Sequence, residues 1–483
     1  MAEDQLQARL QKLEMLRRLG INPFPHSYTP THRLPQLAES QEEGLEVKIA
    51  GRVTAQRKMG KAWFMDLTDQ RKRIQAYFNL NELGDSAQIL DLIDLGDFIG
   101  VQGRTFRTRT QEYTVRAKEV TFLSKALRPL PDKHHGLRDP ELRYALRSLD
   151  LLTNTGVAEV FLKRSKAVST MRQVLDGEGF LEVDIPYLQP VYGGASAKPF
   201  LTHVNALDRD YYLSISPELY LKRLVVGGLD AVYTIARNFR NEGIDRSHNP
   251  EFTMMECYRA YFDYRDMMNL TERIVASMAE AVAGSTLVQY GDDKLNFTPP
   301  WKRVSMYDAV RDVTGLKLYG ASEDELKAAI GSRGDIHVPG FEAMTKGQIV
   351  EALFDEYVAP NLVQPVFIID HPAESTNLCK VHRSNPELIE RFEPYAAGME
   401  IGNAYTELND AVYQRQLLVD QIEREGTDNP HLKLDEPFLI ALEQGMPPTG
   451  GLGIGVDRLV MILTNQRTLK DVLLFPMTKA EIK

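Results

Sequence analysis

The sequence predicts an α+β protein in which a small N-terminal β-barrel precedes a larger domain of mixed helices and strands. Two observations lead to this prediction. Between Leu45 and about Leu123, short segments with alternating apolar residues are separated by turn-like stretches, the pattern of a small barrel. After residue 140, long helical patterns mix with strand-like segments that end at glycines.

The elements of the first module follow in order. Four leucines from Leu6 to Leu16 recur at helical spacing, and Gly20 followed by two prolines ends that pattern. We therefore expect an N-terminal helix within residues 1–30 and the barrel within residues 31–125. The chain has a formal net charge of −10, yet residues 51–118 carry twelve basic and eight acidic residues. Any contact with nucleic acid must therefore be local.

The rest of the chain is predicted to be a linker and one large domain. Residues 126–145 concentrate proline, charge and paired histidines without apolar periodicity, which indicates a linker. Residues 146–483 contain no internal repeat and are expected to form the large domain. Helical spacing recurs within a less patterned region, so we expect a peripheral insertion at about residues 266–345.

Composition excludes several classes of protein. The two cysteines, Cys257 and Cys379, lie far apart, which disfavours a disulfide framework or a structural zinc site. The N-terminus has early acidic residues and no apolar core segment, and the sequence has no run of about 18 apolar residues. We therefore expect a cytosolic protein that is neither secreted nor membrane-spanning.

Residues 236–261 (ARNFRNEGIDRSHNPEFTMMECYRAY) are predicted to form two strands joined by a polar loop. Alternation would place two sets of side chains on one face: Asn238, Arg240 and Glu242 on the first strand, and Phe252, Met254, Glu256 and Tyr258 on the second. Such a platform suits a nucleotide phosphate, a purine ring and a small zwitterion. The alternative is an ordinary hairpin whose charges form solvated ion pairs.

Residues 448–464 (PTGGLGIGVDRLVMILT) place glycines before a helix-like apolar run, with Arg458 at its start. Glycines let a ligand approach the backbone closely. The spacing fails the dinucleotide-binding pattern, because Val456 or Arg458 occupies the third glycine position, and the sequence has no GxxxxGK[ST] motif. A bound nucleotide would be neutralised by the arginine and the helix N-terminus. Tight packing of a helix on a sheet is the alternative.

Residues 391–410 (RFEPYAAGMEIGNAYTELND) are predicted to form two strands around a turn. Strict alternation would put Glu400 on the opposite face from Glu407, so we expect a β-bulge near Gly402 that re-aims the strand. Glu393 and Glu400 could then ligate Mg²⁺, while Glu407 would remain free to meet an organic cation. The alternative is a solvated acidic edge.

These three segments, with GFLEVDIP at 179–186, resemble in order the signature motifs of class II aminoacyl-tRNA synthetases. The whole chain resembles the bacterial-type lysyl-tRNA synthetases, from MGKAWF at 59–64 through PELYLKRLVVGG and MEIGNAYTELND to the terminal DVLLFP. The resemblance implies an OB-fold barrel that binds the tRNA anticodon, and an antiparallel catalytic sheet of six to seven strands flanked by helices. It also implies a cytoplasmic homodimer, formed through motif 1, that uses ATP and Mg²⁺ to join L-lysine to the 3′ end of tRNA(Lys).

The resemblance further implies a role for each matched residue. For ATP it assigns Arg240 to the α-phosphate and the substrate carboxylate, Arg458 to the γ-phosphate, Phe252 to adenine stacking, and Glu242 and His248 to nucleotide binding. It places Mg²⁺ on Glu393 and Glu400. For lysine it assigns Gly194 and Glu218 to the α-amino group, Asn403 to the carboxylate, and Tyr258, Tyr405 and Glu407 to the side-chain ammonium. At the anticodon it places Arg57, Phe64 and Gln75.

These assignments agree with elementary physics. A desolvated ammonium needs a carboxylate partner, and leaving one buried charge unpaired costs about 3–5 kcal/mol. A single-stranded base stacks on an aromatic ring in an OB fold, although Phe64 would by itself be interpreted as barrel core.

Some positions depart from the family pattern and leave other hypotheses open. The departures that affect the pocket wall are Ser214, Thr234, Thr376, Asn377 and Cys379. One alternative is the aspartyl/asparaginyl branch of the same subclass, but Glu218 and Glu407 would repel an acidic side chain. The other is a paralogue that regulates, or that passes activated lysine to a different acceptor. The complete barrel argues against the paralogue.

Overall fold

The computed structural model describes residues 2–130, 137–425 and 432–479. The chain forms two compact units, Met1–Asn154 and Thr155–Lys483. The middle of the predicted linker, residues 131–136, lies outside the described residues. The end of the predicted linker belongs to a short helix, Pro140–Ala145, which Asp139 caps by accepting hydrogen bonds from two backbone amides.

The first unit contains the predicted N-terminal helix and a closed five-stranded barrel. Its helices and strands are α1 (Ala2–Arg18), α2 (Leu34–Ser40), β1 (Glu46–Met59), β2 (Ala62–Asp69), β3 (Lys72–Asn79), α3 (Ala87–Leu90), β4 (Phe98–Arg107), β5 (Tyr113–Ser124), α4 (Pro140–Ala145) and α5 (Arg147–Thr153). The strand order is β1-β2-β3-β5-β4, and β4 pairs back onto β1. Alternate residues such as Met65, Leu67 and Ala76 fill the interior, and Leu16 of α1 packs against the same core. The predicted barrel is confirmed.

The second unit is built on one large sheet. Its elements are α6 (Val157–Gly177), β6 (Leu181–Glu182), β7 (Leu188–Gln189), β8 (Leu201–Val204), β9 (Arg209–Leu213), α7 (Glu218–Val226), β10 (Ala231–Phe239), β11 (Glu251–Ala260), α8 (Tyr264–Ala283), β12 (Leu287–Tyr290), β13 (Asp293–Asn296), β14 (Lys302–Ser305), α9 (Met306–Thr314), α10 (Glu323–Gly331), α11 (Lys346–Leu353), β15 (Val366–Pro372), β16 (Val381–His382), β17 (Asn385–Ala396), β18 (Met399–Glu400), β19 (Gly402–Thr406), α12 (Ala411–Glu425), α13 (Glu436–Glu443), β20 (Thr449–Gly455), α14 (Val456–Leu463) and α15 (Leu469–Val472).

The sheet runs in the order β14-β15-β17-β19-β20-β11-β10-β6, with β16 and β18 added along β17. Its central pairs are antiparallel, but β14 with β15 and β10 with β6 are parallel. The expected α+β class is confirmed. The expected count of six to seven antiparallel strands is corrected to ten strands in a mixed sheet over the described residues, because β6, β16 and β18 are only two residues long and carry little periodic signal.

Helix α8 lies in the main core of the second unit and not in a peripheral insertion. Met267, Leu270, Ile274 and Met278 are each fully buried in the core that the sheet and α6 also line. The first part of the predicted insertion at 266–345 is therefore corrected, because this helix presents a wide apolar face to the sheet. A separate apolar cluster, which runs from Met306 to Tyr395, joins α9, α10 and α11 to residues of β15 and β17.

No helix among the described residues has both the length and the apolar composition needed to cross a membrane.

Candidate active site

One cavity of about 850 Å³ in the second unit collects every residue that was predicted for the substrate and metal sites. Its lining includes Gly194, Glu218, Arg240, Glu242, His248, Phe252, Tyr258, Glu393, Glu400, Asn403, Tyr405, Glu407 and Arg458. These residues come from five separated stretches of sequence, so the sheet and α7 must be assembled before the cavity exists.

The central hairpin β10–β11 sets one wall. Asn238 pairs with Phe252, and Thr234 pairs with Glu256, so these side chains share one face as predicted. Arg240 follows the end of β10, and its guanidinium lies 5.1 Å from the centre of the Phe252 ring. Arg240, Glu242 and Glu256 therefore line the cavity, whereas Arg237 and Glu251, on the opposite face, form a partly exposed ion pair.

The glycines of β20 serve both faces of the sheet. A Cβ atom at Gly451 would lie 1.9 Å from Glu407 Oε1, so this position needs glycine for the carboxylate to fit. A Cβ at Gly450, on the opposite face, would lie 3.1 Å from Met267 of α8. The close packing against α8 agrees with the alternative of a helix packed tightly on the sheet, and the close approach of a ligand to these glycines stays a prediction.

The predicted bulge is confirmed beside Gly402. Tyr395 pairs with Glu400, whereas Phe392 pairs with Ala404. The two pairs are three residues apart on β17 but four residues apart on the β18–β19 side, so that side contains one extra residue. The bulge re-aims the strand, and Glu400 and Glu407 consequently line the same cavity.

A buried charge cluster occupies one end of the cavity. Lys222 Nζ lies 2.6 Å from Glu218 Oε1 and also pairs with Glu407 Oε2. Glu256 accepts hydrogen bonds from Ser216 Oγ and Tyr258 OH, both at 3.0 Å. Glu407 Oε1 is buried and has no hydrogen-bond partner among the described residues. This end therefore offers carboxylate oxygen to a further cation.

Burial governs the charge state of these carboxyl groups. Burial raises the pKa of Glu407 to about 8 against the opposing effect of Lys222, and the charge of Glu218 adds to the rise. Burial, followed by the charge of Glu218, raises the pKa of Glu256 to about 8. For Lys222, burial acts to lower the pKa, but the charges of Glu218 and Glu407 outweigh it and hold the pKa above its usual value. A cation bound beside Glu407 would favour the ionised carboxylates.

The other end of the cavity is cationic. Arg458, in the first turn of α14, donates to Glu400 O at 2.9 Å and to His248 Nε2 at 3.0 Å. Because arginine can only donate, His248 Nε2 accepts, and Nδ1 donates to Asp245 Oδ2 at 2.7 Å. Asp457 Oδ2 accepts from the backbone amide of Thr253 at 2.8 Å and so fixes α14 against β11. Arg240 and Arg458 are therefore both held at this end.

A pair of carboxylates lies between the two ends. Glu393 pairs with the buried Arg391 and accepts from Tyr395 OH at 3.0 Å. Partial burial and the charge of Glu393 raise the pKa of Glu400. Arg391 Nε also donates to Asn403 Oδ1 at 3.0 Å, and Asn403 Nδ2 donates to Tyr405 OH at 2.6 Å. A divalent cation would relieve the repulsion between these two carboxylates, so this donor set fits Mg²⁺ that shares its coordination with phosphate.

The residues that depart from the family pattern are neutral and well packed. Ser214 is buried and accepts from Gln189 Nε2 at 3.1 Å. Asn377 donates to Gln421 Oε1 at 2.6 Å, and Cys379 forms an isolated backbone bridge with Glu407. Thr376 lines the cavity, and Thr234 is buried opposite Glu256. Both cysteines are buried and unpaired.

Sequence reasoning missed Lys222 and Arg391 and gave Glu256 no role. Lys222 stands four residues after Glu218 on α7, an i, i+4 spacing that could have indicated the pair. Arg391 alternates with Glu393 on β17. Nothing in the sequence indicates that one guanidinium joins Glu393 to Asn403.

The outer face of the barrel carries the residues predicted at the anticodon. Arg57, Phe64 and Tyr77 are neighbours in one row across β1, β2 and β3. Phe64 is partly exposed and its ring centre lies 5.1 Å from that of Tyr77, so it is not barrel core. Gln75 lies on the same face, almost buried, and accepts from Thr114 Oγ1 at 3.1 Å. The row thus offers an aromatic surface beside a guanidinium.

Comparison with known families accounts for both units. The family description "tRNA synthetases class II (D, K and N)" matches residues 139–479, and "OB-fold nucleic acid binding domain" matches residues 47–123. The chain therefore belongs to the class II tRNA synthetases.

Relatives in that class share nearly the whole chain. The lysine–tRNA ligase of Carboxydothermus hydrogenoformans is 46% identical over 479 residues, which cover 98% of each chain. That of Clostridium novyi is 46% identical over 98% of this chain and 94% of its own. That of Christiangramia forsetii is 48% identical over 99% of this chain and 87% of its own. Within its class, this chain belongs to the lysine–tRNA ligase family.

Proposed function

We propose that this enzyme activates L-lysine with ATP and transfers it to the 3′ end of tRNA(Lys). The observation that carries the proposal is the polarity of the cavity: carboxylates with an unpartnered oxygen at one end, and two arginines at the other. A lysine zwitterion with a second ammonium, joined to a nucleotide phosphate, has the complementary distribution of charge. The full-length likeness to lysine–tRNA ligases supports the same substrate.

In this proposal the carboxylate end of the cavity binds lysine and the arginine end binds ATP. Glu407 and Tyr258 receive the side-chain ammonium, Glu218 and Gly194 receive the α-amino group, and Asn403 and Tyr405 complete the lysine subsite. Transfer of two ammonium groups from water into the cavity costs desolvation free energy, and ion pairs with these carboxylates offset that cost. Neutral pocket walls would not. An acidic amino acid would be repelled, which disfavours an aspartyl or asparaginyl substrate.

The nucleotide takes the cationic end. Phe252 stacks on adenine, Glu242 and His248 contact the nucleotide, Arg240 neutralises the α-phosphate, and Arg458 neutralises the γ-phosphate. Glu393 and Glu400 would hold Mg²⁺, which supplies charge neutralisation on the phosphate oxygens when bound.

The reaction needs alignment more than proton transfer. A carboxylate oxygen of lysine forms a bond to the α-phosphorus, and the bond to pyrophosphate breaks. Arg240 stabilises the charge that develops on the α-phosphate oxygens. The terminal hydroxyl of tRNA then attacks the carbonyl of the mixed anhydride, and AMP leaves. Binding of the anticodon is assigned to Arg57, Phe64 and Gln75 on the barrel. ATP and tRNA are cytoplasmic substrates, so the proposal places the enzyme in the cytoplasm.

We also propose a homodimer through the region of α6, β6 and β7. Leu162, Leu181, Tyr187 and Leu188 each expose about half of their surface there. A second copy would cover these side chains. A mass measurement in solution that returned a monomer at micromolar concentration would contradict this.

Lysine-dependent ATP–pyrophosphate exchange, followed by charging of tRNA, tests the proposal. Arg240→Ala should lower exchange by at least the ~10²-fold typical of one lost transition-state donor. Arg237→Ala is the matched control, because Arg237 is exposed on β10 and pairs only loosely with Glu251 at 3.6 Å. Near-normal exchange in Arg240→Ala would overturn the assignment. Exchange without charging would instead favour a paralogue that serves a different acceptor.

A further inference from the structure

Lys222 is a fully buried cation that two site carboxylates share. It stands one turn after Glu218 on α7, and its ammonium reaches Glu407, which follows β19 in a different part of the chain. Glu218 and Glu407 are themselves buried. A single charge therefore joins two segments that are 189 positions apart in the sequence.

The ammonium lies behind the two carboxylates and not in the cavity. Glu218 and Glu407 both line the cavity, whereas Lys222 is 0% exposed and does not line it. Glu407 gives Oε2 to Lys222 and leaves Oε1 without a partner among the described residues. A substrate cation can therefore reach the carboxylates without displacing Lys222.

We propose that Lys222 is a positioning residue that fixes the charge and the separation of Glu218 and Glu407, and thereby sets the preference for lysine over shorter diamino acids. The inference rests on the proposed function, in which these carboxylates receive the two amino groups of one substrate. Because both carboxylates contact the same ammonium, the distance between them is fixed. A diamino acid with one methylene fewer then reaches only one of them well.

The groups around Glu218 and Glu407 determine how strongly the charge of Lys222 affects their ionisation. The ionisable groups that face the pair are Glu256 and Tyr258 from β11, Tyr405 from β19 and Cys379 opposite Glu407. Arg240, beyond β10, faces Glu256. Burial already raises the pKa of Glu407 to about 8 although Lys222 opposes it. Without Lys222 the pKa of Glu407 would rise further, so the loss of its proton on binding an ammonium at neutral pH would cost more free energy than in the wild type.

Lys222→Met tests the inference, because methionine is unbranched and only one atom shorter than lysine, and it removes the charge. In pyrophosphate exchange at pH 7 we expect the KM for lysine to rise at least tenfold, with the KM for ATP within twofold of wild type. In the wild type this KM should fall as the pH rises from 7 to 8.5, whereas in the variant the fall should move to higher pH, because the pKa of Glu407 then lies further above 8. The preference for lysine over ornithine in kcat/KM should fall at least threefold.

Lys125→Met is the matched control. Lys125 is likewise 0% exposed and shared by two carboxylates, Asp94 and Asp97, but it lies in the barrel unit. It should leave the KM for lysine, its pH profile and the ornithine ratio unchanged. A loss of general stability alone would affect both variants alike.

A folded Lys222→Met enzyme with wild-type KM, pH profile and ornithine ratio would overturn the inference. If that variant does not fold, Lys222→Arg keeps the charge with a different shape. It should retain the wild-type pH profile and lower the lysine preference at least threefold, and an unchanged preference would equally overturn the inference. Absence of lysine-dependent exchange in the wild type would instead refute the proposed function.

Discussion

Each unit of the molecule buries one lysine between two carboxylates, and the two clusters differ in how completely their atoms are paired. In the barrel unit, Lys125 contacts Asp94, Asp97 and the carbonyl of Leu92. Asp97 accepts two backbone amides, and Asp94 also pairs with Lys12. In the catalytic unit, Lys222 joins Glu218 and Glu407, but Glu407 keeps one buried oxygen without a partner among the described residues.

The same chemistry therefore serves two purposes. A fully paired buried cluster fixes one arrangement of the chain, and removing any member leaves a charge uncompensated. In the second cluster one carboxylate oxygen beside the cavity has no partner among the described residues, so it can still accept a hydrogen bond or an ion pair from a ligand. In the proposed function the unpaired oxygen of Glu407 receives the side-chain ammonium of lysine, because a buried acceptor without a partner is costly until a donor binds it.

The largest effect is expected in the fully paired cluster. Asp97→Ala should destabilise the barrel unit by about 3–5 kcal/mol, since it breaks a buried pair and orphans two backbone amides. Unfolding can be followed by Trp63 fluorescence in a Trp301→Phe background, because the two tryptophans lie in different units. Asp69→Ala, which removes a surface pair with Arg33, should cost no more than about 1 kcal/mol. Equal losses in the two variants would refute the comparison.

A substitution in the cluster of Lys222, Glu218 and Glu407 should change the affinity for lysine. Glu407→Gln keeps the shape and removes the charge, so the KM for lysine should rise by the equivalent of about 2–5 kcal/mol, at least ~30-fold. The KM for ATP should stay within twofold, since the nucleotide is assigned to other segments. Both constants come from pyrophosphate exchange. A rise of less than threefold in the KM for lysine would show that Glu407 does not select the substrate.

The two units should also be separable in function. Phe64→Ala should weaken tRNA binding by about 1–3 kcal/mol through the loss of one stacked base, and leave lysine-dependent exchange unchanged. Phe98→Ala, which removes an aromatic ring from β4 outside the Arg57–Phe64–Tyr77 row, serves as the control and should leave tRNA binding unchanged. Filter binding of tRNA and exchange assays on one preparation would distinguish the outcomes. Loss of exchange in Phe64→Ala would mean that Phe64 has a structural role.

The smallest effect concerns pH. Because the pKa of Glu256 and of Glu407 is raised to about 8, both groups hold protons at pH 6.5 and lose them by pH 8.5. Ammonium binding favours the ionised forms, so the KM for lysine should fall up to about tenfold as pH rises across this range. Calorimetry in two buffers of different ionisation enthalpy should detect proton release near pH 7. Lysine binding without proton release would contradict these charge states.

Particular elements show how far the sequence alone could be interpreted. The barrel strands, the hairpin of residues 236–261 and the bulge near Gly402 were predictable, because period-two alternation, turn residues and carboxylate placement are local signals. Helix α8 was misjudged as part of an insertion, because helical spacing identifies a helix but not the surface that it packs against. The short edge strands β6 and β16 carry too few residues for any period to appear.

By itself the sequence determined the family, the order of the two modules and thirteen of the residues that line the cavity, since each of these resides in motifs that are contiguous in the chain. Only the tertiary structure decided which charges meet. Lys222 reaches Glu407 across 185 positions, and Arg391 joins Glu393 to Asn403, because strand register and the packing of α7 bring these atoms together. The pairing of buried charges depends on distances of a few ångströms, and such distances are set by the assembled sheet and not by spacing along the chain.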